Sequence, residues 1–140
     1  NRFAWGSLVF ALALGLVIPV VTVPYWPGRP RLRSPRRILG YLGIVIHDIV
    51  KANIDVARIV LFMPKADLRP CWLVVPLELT APEAVAVLMG TITLTPGTVS
   101  CDLAEDGSAL LVHALHCPDP AATTDEIKTR YEAPLMEIFP

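Results

Sequence analysis

Charged side chains are scarce in this sequence, at 18% of 140 residues against 54% hydrophobic. That is more apolar and less charged than an ordinary soluble domain. Between Phe3 and Gly28 there is no charged side chain at all, and residues 1–37 carry no acid. No basic excess exists over the whole chain, because 12 Lys and Arg meet 13 Asp and Glu for a net charge of −1. This excludes a globally basic nucleic-acid binder and a charge-driven disordered tail. The three cysteines, Cys71, Cys101 and Cys117, are odd in number and lack C-x-x-C spacing, so no zinc site or disulfide framework is encoded. They lie in apolar or alternating runs, where a reduced, buried cysteine acts as a small hydrophobe and fits a reducing, cytoplasmic compartment.

The local signatures of catalysis are missing too. There is no Gly-x-Ser-x-Gly elbow. The run Thr95-Pro96-Gly97-Thr98 lacks the lysine and the glycine spacing of a phosphate loop and reads as a turn. His113, His116 and Cys117 invite a metal reading, but positions three apart on a strand point to opposite faces, so His113 reads as architectural. The expectation is a protein that is not an enzyme, with no cofactor, no metal, no nucleic-acid partner and no small-molecule substrate bound by this chain alone.

What is present falls into zones. Residues 1–37 carry six arginines, residues 38–63 two basic and two acidic groups, and residues 64–140 four basic and eleven acidic groups, a net −7. The uncharged stretch is longer than the ~20 residues that cross a bilayer core. Residues 1–28 therefore read as a transmembrane helix, regular from Ala4 to Ile18 and kinked or loosened by Pro19 and Pro24, with Tyr25 and Trp26 at the interface. A signal peptide would show a shorter apolar core, a small-residue cleavage site and an N-terminal methionine. The chain starts at Asn1, and a further membrane helix is expected before it. Residues 29–37 form a Pro/Arg loop. Arg29, Arg31, Arg33, Arg36 and Arg37 are topogenic and place it on the cytoplasmic side, or they hold phospholipid headgroups.

Residues 38–63 lack proline and continue a long amphipathic helix from Arg36 to Met63. At about 100° per residue, His47, Asp48, Lys51, Asp55 and Arg58 share a stripe about 100° wide, with ion-pair spacings between Lys51 and Asp55 and between Asp55 and Arg58. Ionic groups at mid-bilayer are costly unless paired or facing protein. The helix either lies in the cytoplasmic interface or turns this stripe to partner subunits. A proton or ion relay through His47, Asp48, Lys51 and Asp55 is the alternative to a docking stripe.

Residues 64–140 have the pattern of a small α/β domain. A strand from Cys71 to Leu79 alternates and suits an edge position because of Pro76. Thr80 and Glu83 have capping-box spacing for a helix to about Gly90, Thr91 to Thr95 reads as extended, and Pro96-Gly97 fits a type II turn. Val99, Cys101 and Leu103 alternate, Asp106-Gly107 turns the chain, and Leu111, His113 and Leu115 alternate in the return strand. Thr123 and Glu126 mark a second capping box for a closing helix with Ile127, Tyr131, Leu135 and Ile138 as its stripe and a kink at Pro134. The strand-helix-hairpin-helix order predicts a three-stranded sheet with helices on one face.

Taken in order, Lys51-Ala52-Asn53-Ile54-Asp55-Val56-Ala57-Arg58, Val75-Pro76-Leu77, Ile92-Thr93-Leu94-Thr95-Pro96-Gly97-Thr98-Val99-Ser100 and Leu111-Val112-His113-Ala114-Leu115 resemble the E-type component of the Mrp-type (Mnh or Pha) multisubunit sodium/proton antiporter over nearly the whole chain. The resemblance implies an accessory subunit, needed for assembly and activity, in a complex of the cell membrane that exchanges sodium for protons and supports pH and sodium homeostasis. The ion paths would belong to the large subunits, with membrane lipids and the other antiporter subunits as partners and no catalytic residue here. A multi-pass protein with a cytoplasmic C-terminal domain is expected, given the cost of a full span by the charged stripe. A free-standing membrane-tethered binding or regulatory domain is the alternative.

Overall fold

The computed structural model describes residues 5–25 and 34–139. Helix α1, Trp5–Thr22, continues into a 3₁₀ turn at Val23–Tyr25. Pro19 lies inside α1 and does not end it. Beyond the expected end at Ile18, the Thr22 hydroxyl donates to the carbonyl oxygens of Ile18 and Pro19 at 2.9 and 3.2 Å, satisfying groups that the last turn leaves open. Every side chain from Gly6 to Tyr25 is exposed. Among the described residues this is the one helix long and apolar enough to cross a membrane. Trp26, Arg29, Arg31 and Arg33 lie outside the described residues.

Helix α2, Pro35–Phe62, has the expected length, with proline in its first turn where the missing N–H is unneeded. It is not separate from the acidic unit that follows, because Tyr41, Val45 and Asp48 are buried in a core shared with residues of that unit. Strand β1, Cys71–Pro76, then helix α3, Pro82–Leu94, strand β2, Thr98–Leu103, and strand β3, Ala109–Ala114, give an antiparallel sheet of order β1-β3-β2. The proline-bearing strand is an edge, as its sequence required. Leu73 and Val75 of β1 and Leu110, Val112 and Ala114 of β3 face inward against Leu88 and Ile92 of α3, Ile127 and Leu135.

Three local readings are corrected. Gly90 does not stop α3, and Thr91 to Leu94 is helical. A glycine inside a helix costs about 1 kcal/mol, which is outweighed here because Leu88, Thr91 and Ile92 recur at helical spacing on the buried face. Neither expected cap residue, Thr80 or Thr123, is the one that starts its helix. Ala81 precedes α3 without a side-chain bond, and helix α4, Pro120–Ile127, is capped by Asp119, whose carboxylate accepts from the amides of Ala121 and Ala122. In β2 a bulge between Ser100 and Asp102 breaks the alternation. Ser100 faces inward and donates to the Met89 carbonyl at 3.1 Å, while Val99 and Cys101 are exposed. An extra residue in one strand reverses the faces across it, so Leu103 packs against the core while Val99 and Cys101 turn outward, and Cys101 is not a core residue, whereas Cys117 is buried.

The closing segment does deviate near Pro134. A π turn at Lys128–Glu132 joins α4 to helix α5, Ala133–Ile138, and the Ala133 amide reaches back to the Lys128 carbonyl. Proline cannot donate to the preceding turn, and a widened turn accommodates that loss. Ile127, Tyr131, Leu135 and Ile138 are all buried, as their spacing predicts. Glu132 is 2% exposed. Its carboxylate accepts from the amides of Glu78 and Leu79 at 2.6 and 3.2 Å and from Lys128 Nζ at 2.8 Å, ending β1 against the helical layer. Glu132→Ala strands two amides and should destabilise the domain by about 2–4 kcal/mol, while Glu132→Gln keeps an acceptor and should cost about half that. Amide exchange of β3 in the full chain in micelles measures both. Equal protection in the alanine variant would contradict this role.

Candidate functional site

Sequence reasoning singled out one stripe on α2, and the structure divides its members among different surroundings. Asp48 is 6% exposed and turns into the seam between α2 and the closing segment. Arg130 meets it with two parallel bonds, Nε to Oδ2 at 2.5 Å and Nη2 to Oδ1 at 2.6 Å, and the Tyr131 hydroxyl donates to Oδ2 at 3.1 Å. A forked pair of this kind is among the stronger charge-assisted arrangements. His47 stays at the surface with Nδ1 3.0 Å from Asp48 Oδ1. Asp55 pairs with Arg58 at 3.3 Å on the exposed side. Arg37 donates to the Glu137 carbonyl at 3.1 Å and lies 3.4 Å from its carboxylate, while Arg36 is exposed. Above the pair, the hydroxyls of Tyr41 and Thr91 lie 2.7 Å apart, linking α2 to α3.

The Thr95–Thr98 segment meets the same helix. Gly97 has φ +97°, as a type II turn demands, and a Cβ there would lie 3.1 Å from Val56 Cγ2 of α2. Both the backbone sign and the close approach select glycine. The turn closes by Thr98 N to Thr95 O at 3.3 Å, the Thr98 hydroxyl donates to the Ile92 carbonyl at 2.7 Å, and the Gly97 carbonyl accepts from the Leu115 amide at 2.8 Å. Pro96 completes it. The turn, α2 and α4 enclose a cleft of about 270 Å³ with Lys51, Asp55, Glu126 and His116 along it.

This arrangement suits docking better than chemistry. The bonds from Arg130 hold the Asp48 carboxyl well below the usual carboxylate range despite its burial. Burial pushes the Tyr131 phenol up to about 12, so it remains a donor. Burial, with Cys117 beside it, raises the Cys71 thiol to about 11, which leaves little nucleophilic thiolate near neutrality. Among the described residues no buried side-chain nitrogen or oxygen lacks a hydrogen-bond partner, and no His, Cys, Asp and Glu cluster could hold a metal ion. His113 lies on the outer face of the sheet against Trp72, ring centroids 4.8 Å apart, and His116 Nδ1 accepts from the Arg69 amide at 3.3 Å. The two histidines therefore serve separate places. Sequence reasoning missed Arg130, Glu132 and Tyr41. Adjacent Arg130 and Tyr131 on the closing helix were a usable signal, since one apolar stripe cannot account for both.

Residues 1–138 match the family described as Na+/H+ ion antiporter subunit, MnhE. The probable K(+)/H(+) antiporter E-type protein of Rhizobium meliloti (strain 1021) is 34% identical over 134 residues, covering 96% of this chain and 83% of that protein. A chain of the Mrp complex from Dietzia sp. DQ12-45-1b superposes with a TM-score of 0.56 at 26% identity, covering 76% of this chain and all of that one. A chain of the membrane-bound sulfane sulfur reductase, an archaeal respiratory membrane complex, reaches 0.72 at 26% identity, covering 99% of this chain and 88% of that one. With an apolar helix followed by a long helix docked on a mixed α/β unit, and with the family match over residues 1–138 and the antiporter relative, the chain is a subunit of a multisubunit cation/proton antiporter, a transporter component and not an enzyme. Within that class the chain belongs to the MnhE family of Mrp complexes, and so is part of such a complex and not a free-standing tethered domain.

The Asp48 carboxyl is more acidic in the folded than in the unfolded chain, so its contribution to stability is complete above about pH 5 and fades as pH falls through the ordinary aspartate value of about 3.9. Asp48→Asn should lower stability near neutrality by about 2 kcal/mol and flatten the loss on acidification. Urea midpoints of the full chain in micelles, taken from about pH 7 down to about pH 3, test this. An unchanged acid slope would remove Asp48 as the linked group.

Proposed function

We propose that this chain is an accessory subunit that supports assembly of a sodium/proton antiporter and so serves pH and sodium homeostasis, without carrying ions itself. The carrying observation is the fate of Asp48. Asp48, the buried carboxylate on α2, is matched within the chain by Arg130 and Tyr131, which serves docking and withdraws it from a relay. His47, Lys51, Asp55 and Arg58, beside that seam, are the side chains offered to neighbouring subunits or headgroups. Sodium is the cation of the family's description, against potassium for the Rhizobium relative.

The C-terminal unit sits on the cytoplasmic side of a multi-pass chain in the cell membrane. The five arginines between α1 and the early turns of α2 support this by the positive-inside rule. So do cysteines left as free thiols. The purified chain in vesicles should show no sodium/proton exchange. A complex formed without it should be recovered in lower yield, with the exchange rate per assembled complex nearly unchanged. Robust exchange by the chain alone would overturn the reading, and potassium replacing sodium as the preferred ion would correct the cation.

A further inference from the structure

The cavities and titratable clusters of this chain belong to the seam already described, but α2 has a third face that the seam does not use. Leu39, Leu42, Ile46, Val50, Ile54 and Leu61 are between 48% and 70% exposed. At about 100° per residue they form one stripe about 120° wide, running most of a helix about 42 Å long. The buried face, with Tyr41, Val45, Asp48 and Val56, is centred about 140° to one side, and the charged stripe of His47, Lys51, Asp55 and Arg58 about 120° to the other. The small domain and the charges therefore both point away from the apolar face.

We propose that this face of α2 is a lipid-binding surface, inserted in the plane of the cytoplasmic leaflet with anionic headgroups held at its N-terminal end by Arg36 and Arg37. Three observations select lipid as the occupant. Only residues 26–34 separate the apolar helix α1 and its 3₁₀ turn from α2 in the sequence, at most about 35 Å of chain, so the start of α2 stays within reach of the membrane that α1 would cross. Arg29, Arg31, Arg33, Arg36 and Arg37 supply a local +5 at that point with no acid before Asp48, the sign that attracts anionic lipid. The polar side chain within the stripe, Asn53, donates to the Ile49 carbonyl of its own helix at 2.7 Å, just as Thr22 bonds backwards in α1. Such back-bonding suits a polar group facing hydrocarbon. An amphipathic helix of this kind rests about 5–10 Å into the headgroup and acyl boundary. The C-terminal unit, with its net −7, is then carried above the surface by the Asp48 seam on the helix's far side.

The inference rests on the cytoplasmic placement proposed above. Its test uses single spin labels at Leu42, Ile46, Val50 and Ile54, and at Lys51 and Arg58, in the assembled complex reconstituted in vesicles of phosphatidylethanolamine and phosphatidylglycerol. Accessibility to oxygen and to a water-soluble nickel chelate gives the depth of each site. The four apolar sites should share one shallow depth within about 3 Å, and the two charged sites should lie outside the acyl region, with low access to oxygen. Depths that deepen toward the middle of the helix would show a full span, and low access to both reagents would show a neighbouring protein on the face. Either result overturns the inference. Full assembly of a complex that lacks this chain, with these depths as expected in the complex that contains it, would count against the function proposed above and leave the lipid surface standing. Arg36→Gln with Arg37→Gln should make all four sites shallower, and unchanged depths would remove the headgroup role.

Discussion

One forked ion pair sets the relation between the long helix α2 and the small α/β unit. Asp48 of α2 is buried, and a buried carboxylate is tolerated only with its charge and lone pairs answered. Arg130 and Tyr131 answer them from the closing segment. Around that fixed point the other contacts between the halves fall into place: Arg37 with Glu137 nearer the N-terminus of α2, Tyr41 with Thr91 in its early turns, and the Gly97 turn beside Val56 further along. The 28-residue helix is thereby held to the domain at successive levels.

The π turn is what allows one short stretch of chain to hold both sides. In Lys128–Glu132, Arg130 and Tyr131 reach α2 while Lys128 and Glu132 clamp the end of β1. Pro134, which forces that widening, links the backbone chemistry of one residue to the docking of two layers. The same economy explains why the stripe on α2 need not be a conduction path: its buried member is neutralised inside the chain, and its exposed carboxylate, Asp55, is paired with Arg58.

Much of this was legible in the sequence because it depends on period and on absence. The uncharged stretch, the proline-free helix, the edge strand with Pro76, the Pro96-Gly97 turn and the Ile127, Tyr131, Leu135, Ile138 stripe all follow from spacing. The end of α3 was misread because local chemistry at Gly90 and Thr91 opposed the burial of Thr91 and Ile92, which is tertiary. The bulge at Cys101 left no mark in composition, so alternation assigned the wrong face. The partner of Asp48 lies 82 residues away, and no local pattern specifies such a pair. The sequence showed that the charges on α2 share a stripe, but which of them is buried depends on where the closing helix lands.

The docking of α2 on the domain stands on the coupling between Asp48 and Arg130, and a double-mutant cycle measures it directly. Urea unfolding of the full chain in micelles would be followed for Asp48→Ala, Arg130→Ala and the double variant. With the Arg130 side chain 40% exposed, removing either partner alone should cost about 3 kcal/mol, toward the lower end for a buried pair. The double variant should cost little more than either single one, a coupling of about 2 kcal/mol or above. Additivity within about 0.5 kcal/mol would mean that the two residues do not act together and that the seam is held by apolar packing alone.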